Sequence, residues 1–266
     1  MSNQKKTTPF PDLPKFGIKF PDSPITVAAF EYTKQHTSEA TYNHCVRSAY
    51  WALILSKKLP NFSSVPASSL NLETVVLAAV LHDMGWATTK ELLSKDKRFE
   101  VDGANLAQDF IRQYAEKKGE GETWNKNRIQ LVWDAIALHT TGSIALHHPS
   151  PEISLAHLGI MADFSGPQFP PGNGATISEA EYREVVAHFP LAKFGVEDIK
   201  EVLCGLCRDK PETTYDNLIS GFGLAFGLDG KGGGREEYAQ AKEAADPTKD
   251  LIAGLGYLEN LLKEKA

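Results

Sequence analysis

The sequence predicts an all-α protein, a compact single-domain helical bundle, on three observations. Eight segments place apolar residues at intervals of three and four. No stretch alternates with the period of two that a half-buried strand needs. Proline or glycine clusters separate the segments. The chain has 266 residues, 42% of them hydrophobic and 23% charged, so it can bury a real core without disulfides or a structural metal to keep it folded.

Residues 1–22 carry four prolines and few periodic apolar positions. They are expected as an N-terminal arm, packed on the body or partly disordered. The all-α domain is expected over 23–266 and opens at Ser23-Pro24, a cap followed by a proline at the first helical position. Helical periodicity then covers 38–59, 71–83, 103–118, 125–140, 152–164, 178–188, 196–208 and 246–265. Breakers fall at Pro60-Asn61, 119–121, 148–151 and 166–174. The Gly-rich stretch 221–234 misses the spacing of a phosphate loop, since Gly232 follows Lys231 where Ser or Thr is required, and is expected to be a connection. Cys204 and Cys207 lie in a helical pattern with neither a second ligand pair nor a neighbouring βαβ unit, and are read as buried helix packing.

Several function classes drop out on composition. The balance of 28 basic and 34 acidic residues gives a net charge of −6, and no Lys/Arg block is long enough to track a phosphate backbone, so nucleic acid is not an expected partner. The longest apolar runs, 49–55 and 75–81, fall far short of the roughly twenty residues a bilayer span needs, and no membrane association is expected. The amino terminus lacks the apolar stretch of a signal peptide. Three cysteines, an odd number, suit a reducing compartment, so the cytoplasm is expected, with the nucleus left open. A homo-oligomer is compatible with the sequence.

Chemistry-bearing residues stand where the helical pattern predicts burial. His44 shares a stripe with Ala40, Ser48, Trp51 and Leu55. The apolar face of Leu72, Val75, Val76, Ala79 and Val80 ends in His82-Asp83, ahead of Gly85. His139 continues the spacing of Val132, Ala135 and Ile136, and Asp163 continues that of Ala156, Gly159 and Ile160. A carboxylate on an apolar stripe is costly unless it meets a cation or several donors. Three histidines and two aspartates from four helices supply nitrogen and oxygen donors suited to zinc, iron or manganese.

The order His44, His82-Asp83, His139, Asp163 resembles the HD-domain superfamily of metal-dependent enzymes. More narrowly, Tyr42-Asn43-His44 with Arg47, the run Leu81 to Gly85, the run Arg98 to Ala104, and Ala135 to Thr140 resemble the fungal cyanamide hydratase family. The Asp163 to Gly166 and Lys210 to Thr214 segments fit it too, so the resemblance extends from about Pro24 to about Gly223. It implies an all-α fold and one divalent metal held by His44, His82, Asp83 and Asp163. Zinc is favoured because the reaction is redox-neutral; iron and manganese suit the same donors. Members with two metals place a further histidine a few residues before a Gly-Ala pair; Phe99 or Glu100 stands there, which argues against a dinuclear site.

The implied reaction adds water to a small nitrile such as cyanamide, giving a urea or an amide, with the ion making hydroxide available near neutral pH. Asp83 belongs to the reacting centre as well as to the metal. His139 is expected to donate or orient a proton, and Glu100 to act as acid or base. Trp86, Phe99, Thr140 and Arg47 are expected to contact substrate, with Trp51 a further candidate wall of the pocket. The rival reading is an HD-type phosphohydrolase acting on nucleotide mono- or diesters, which needs cations to neutralise phosphate, and only Arg47, Lys90 and Arg98 stand near the ligands. A binding module with a closed structural metal and a dinuclear iron oxygenase are the remaining alternatives.

Overall fold

The computed structural model describes residues 9–64, 66, 69–169 and 176–263. Among these the only β pairing is one isolated bridge between Leu13 and Ile18; the fold is all-α, as expected. The first eight residues of the expected arm, part of the 166–174 breaker and the last residues of the final expected helix, 264–265, lie outside the described residues. No described helix is long and apolar enough to cross a membrane.

The chain divides into two compact units, Met1–Gly195 and Val196–Ala266. The domain expected over 23–266 spans both. All the residues expected at the site lie in the first unit.

The first unit contains α1 (Pro24–His36), α2 (Glu39–Lys58), α3 (Pro60–Ser63), α4 (Leu72–Leu81), α5 (Phe99–Lys118), α6 (Lys126–Ala137), α7 (Gly142–Ala145), α8 (Pro151–Ala162) and α9 (Glu179–His188). Short polar side chains start the helices by accepting orphan backbone N–H groups: Ser38 from Thr41, Asn71 from Thr74 and Asn125 from Arg128. Helix α2 is buried on all sides from Asn43 to Ser56, which marks it as the central element. It packs along α8 and α4, and α4 also meets α1, α6 and α8. Residues 10–20 of the arm close one end of this core. Phe10 stacks on Phe20 at 4.5 Å and meets Phe30 edge-on at 4.8 Å, while the Tyr50 hydroxyl donates to the Pro11 carbonyl.

Three helices stop short of the ranges the periodicity suggests. Helix α4 ends at Leu81 and a 3-10 turn carries His82–Trp86, with Asp83 at φ −97°, ψ 22°. Helix α6 ends at Ala137, ahead of His139 and Thr140, and α8 ends at Ala162, ahead of Asp163. Apolar spacing continues through these polar residues because they too point inward, but the backbone has already turned. Helix α5 starts earlier than expected, so Phe99 and Glu100 occupy its first turn.

The turn after α4 is pressed against α5. A Cβ on Gly85 would lie 2.0 Å from the Phe99 carbonyl oxygen, and one on Gly103 would lie 2.7 Å from the His82 carbonyl oxygen. Only hydrogen fits between these backbones.

The second unit contains α10 (Val196–Asp209), α11 (Ser220–Phe226), α12 (Arg235–Ala244) and α13 (Pro247–Lys263). The stretch expected as a connection, 221–234, is therefore partly helical. Gly223 lets the Tyr238 ring lie against α11, where a Cβ would stand 2.5 Å from the ring. In the loop that follows, the Asp229 carboxylate accepts the N–H groups of Lys231 and Gly233 at 2.8 and 2.9 Å, so the chain supplies its own anion. Cys204 and Cys207 are buried packing residues whose thiols face the carbonyls of Phe222 and Ile219.

Gly85→Ala is expected to destabilise the protein by about 3 kcal/mol, because neither backbone can yield without shifting α5. Urea unfolding of the two proteins measures this, and an unchanged midpoint would contradict the close approach.

Candidate metal centre

Helices α4, α6 and α8 all end at one place. Each carries the partial negative charge of its C-terminal carbonyls there, a field that favours a cation. His82 caps α4, His139 follows the cap of α6, and Asp163 caps α8. His44 reaches the same region from the second turn of α2.

The imidazoles are oriented by what their Nδ1 atoms touch. His82 Nδ1 lies 2.8 Å from the Ala79 carbonyl and His139 Nδ1 lies 2.7 Å from the Ile136 carbonyl, the same three-residue backward reach at two helix ends. Carbonyls only accept, so both Nδ1 atoms carry the proton. His44 Nδ1 lies 2.7 Å from Asp163 Oδ2 and donates to it in the same sense. In the neutral ring of each, the lone pair is then on Nε2.

Those lone pairs converge. His82 Nε2 is 3.2 Å from His44 Nε2 and 3.2 Å from Asp83 Oδ2, and His44 Nε2 is 3.6 Å from the same oxygen. His139 Nε2 stands 4.0 Å from Asp83 Oδ1. Both Asp83 oxygens are buried without a hydrogen-bond partner among the described residues. Acceptors packed against acceptors repel one another, and a buried carboxylate without a donor is costly. A cation removes both penalties. Tetrahedral zinc, with bonds of about 2.0–2.1 Å, would separate its ligand atoms by roughly 3.3 Å, close to the spacing found. His44, His82 and Asp83 thus form a group whose ligand atoms all lie within 4.8 Å of one another.

Proton affinities reflect the same need for positive charge. Burial works to lower the His82 pKa, but the Asp83 carboxylate and the adjacent Cys45 together outweigh it and raise the value well above normal. Burial works to raise that of Asp83, and His82, then His44 and His139, hold it below the usual carboxylate range. His44 is lowered, chiefly by burial, against the pull of Asp163. The Cys45 thiol, beside His82, is pushed up by burial and stays protonated.

Asp163, expected as the fourth ligand, is not brought into the cluster. Its Oδ1 accepts from Arg47 Nε at 2.9 Å and Trp51 Nε1 at 2.6 Å, and its Oδ2 from His44 Nδ1 and Arg47 Nη2, both at 2.7 Å. Four donors fill the four lone-pair positions of a carboxylate. Burial would raise the Asp163 pKa, yet His44 and Arg47 pull it down to about 2. The buried carboxylate meets four donors, one of them His44 Nδ1, whose ring it holds in place.

Arg47 orients a carboxylate and has little left for an anionic substrate. Its Nη1 donates to the carbonyls of Phe189 and Pro190, and its guanidinium lies 5.1 Å from the Phe194 ring centroid. Trp51 holds Asp163 and stacks on Tyr182 at 5.6 Å, so it braces the site from behind.

Beside the cluster, Phe99 meets His139 edge-on at 5.5 Å and Trp86 packs against Phe99 at 5.4 Å. The Trp86 Nε1 atom is buried without a partner among the described residues. Glu100 accepts from Arg98 Nη2 at 2.9 Å and from the Thr140 hydroxyl. Burial acts to raise the Glu100 pKa, but Arg98, His139 and Thr140 bring it below normal, so it is ionised and has no proton to give at neutral pH.

Three further residues shape the centre, none with a role expected from the sequence. Phe194 stacks on His44 at 4.5 Å and Phe164 lies 5.1 Å away, covering the imidazole. His157 Nδ1 donates to the His139 carbonyl at 2.7 Å. Phe194 lies in a loop with no periodicity to flag it; His157 sits in a helix buried almost throughout, where no face stands out.

Residues 41–164 match the family model described as HD domain. His44, His82, Asp83, His139 and Asp163 all fall within the match. HD domains are typically found in metal-dependent enzymes, and the centre agrees with that. No match is found among curated proteins.

Elemental analysis is expected to count one divalent ion per chain in the wild type and close to none in His82→Ala or Asp83→Asn. Asp163→Asn should keep the ion with affinity reduced about 10–100-fold, the usual effect of losing the partner that orients a ligand. With folding checked by circular dichroism, loss as complete as in His82→Ala would make Asp163 a ligand after all.

Proposed function

We propose that the HD-type centre of this chain is that of a hydratase, adding water to a small nitrile such as cyanamide to give a urea or an amide. The ion would be held by His44 Nε2, His82 Nε2 and an Asp83 oxygen, with zinc preferred because no electron is exchanged. When bound, it supplies a Lewis acid that makes water nucleophilic near neutral pH.

The observation that favours a nitrile over a phosphate ester is the state of the guanidiniums. Arg47 is bidentate to Asp163 and Arg98 is bound to Glu100. Phosphoryl transfer needs positive charge on the developing oxygens. A neutral nitrile does not, and the aromatic edge of Trp86 and Phe99 suits a small, uncharged substrate.

His139 moves the proton. Burial, and then the neighbouring His82, push its pKa down to about 4, so the ring is neutral at pH 7. With Nδ1–H committed to Ile136, Nε2 is free to accept the proton that water loses as its oxygen bonds to the nitrile carbon. The same Nε2 returns a proton to the nitrogen, which receives the electron pair of the broken π bond, and the imidic acid so formed becomes the urea or amide when its O–H proton moves to nitrogen. This keeps the donor role expected from the sequence and adds to it that of base.

Glu100 serves as an ionised carboxylate that fixes the Thr140 hydroxyl and stabilises His139 while it carries the extra proton. The Trp86 indole N–H offers a donor to the substrate beside Phe99.

Protein loaded with zinc and given cyanamide is expected to release urea, while a panel of nucleotides releases no phosphate. His139→Gln should lose turnover by about 100-fold or more while retaining its metal. Phosphate in place of urea would replace the reading with a phosphohydrolase, and a fully active His139→Gln protein would remove the proposed proton path.

A further inference from the structure

Helix α13 is left bare by the fold. None of its 17 residues is buried, and Leu251, Ile252, Leu255, Leu258 and Leu262 are 51–74% exposed. Leu251, Leu255, Leu258 and Leu262 recur at intervals of four, three and four, the seam of a coiled coil, with Ile252 and Leu261 on its flanks. A lone helix of this length is marginal in water, and Gly254 and Gly256 weaken it further. An apolar stripe of this kind marks an interaction surface.

The spacing of the stripe is its own mirror image. Turned end for end about a point between Gly256 and Tyr257, Leu251 falls on Leu262 and Leu255 on Leu258. We infer that α13 pairs antiparallel with α13 of a second copy of this chain, making a two-fold dimer. Each contact is then made twice, as an isologous interface requires. On one flank Leu261 meets Gly254 of the other copy; nothing lies within 4 Å of where a Cβ on Gly254 would stand, so there is room for the leucine.

Area and charge both suit this occupant. The six apolar side chains expose on the order of 600 Å² per chain, so a pair buries about 1,200 Å², the lower end of standard interfaces. The described charges of the helix, Lys249, Asp250, Glu259 and Lys263, cancel. A helix that lies on an anionic membrane carries a basic polar face instead.

Sedimentation equilibrium of the full chain between about 1 and 100 μM tests the pairing. The wild type is expected to shift from one chain to two across this range. Leu255→Glu combined with Leu258→Glu should stay monomeric, with dissociation raised about 100-fold or more by the buried carboxylates. Its metal content and helicity should not change, because each of the two side chains is more than half exposed in the single chain. For the register, Leu251→Cys mixed with Leu262→Cys should cross-link on mild oxidation, and neither should cross-link with itself. A wild-type monomer throughout, a four-chain mass, or a dimer indifferent to the glutamates overturns the inference. Self-cross-linking of Leu251→Cys means a parallel pair and overturns it as well, and so does a monomer that binds anionic vesicles through these leucines.

Discussion

The first unit depends on one electrostatic constraint: a buried group of acceptors that demands positive charge, from a metal ion or from the proton that Asp83 draws onto His82. Each imidazole, when neutral, spends its only N–H on a partner that cannot give one back. Ala79 and Ile136 take those of His82 and His139, and Asp163 takes that of His44. What remains at the centre is three nitrogen lone pairs and the bare oxygens of Asp83. Such a set is stable only around positive charge, and the C-terminal ends of three helices add to the demand.

The surrounding packing keeps those donors in place. Arg47 and Trp51, one and two turns past His44 on α2, clamp Asp163 so that it can only face the imidazole. The clamp is itself buried and ionic, and removing one partner from such a pair leaves an uncompensated charge. Gly85 and Gly103 let the turn that bears His82 and Asp83 lie directly on α5, which brings Phe99 and Glu100 to the rim of the centre. Glycine at those two positions is therefore part of what places the ligands.

Much of this was legible in the sequence. His44, His139 and Asp163 continue apolar stripes, and His82-Asp83 ends one; inward polar residues are what the helical period exposes best. Their partners were not legible, because Arg47 meets Asp163 across 116 positions and Phe194 meets His44 across a loop. Asp163 shows the limit most clearly. The spacing requires that a buried carboxylate find a cation or several donors, and only the tertiary arrangement selects the donors. Helices α11 and α12 are hidden for a different reason: glycines that read as a flexible connection are used for close contact with Tyr238 and for backbone at positive φ at Gly227, Gly230, Gly232 and Gly234.

The tautomers can be observed directly. Long-range proton–nitrogen correlation spectra of the eight histidines, recorded without metal and after adding one equivalent of zinc, report which ring nitrogen carries hydrogen. In the zinc-loaded protein, His44, His82 and His139 should all be Nδ1-protonated, with the Nε2 signals of His44 and His82 shifting as the metal is added. An Nε2–H on His44 or His82 in the loaded protein, or spectra indifferent to zinc, would contradict the account at its base.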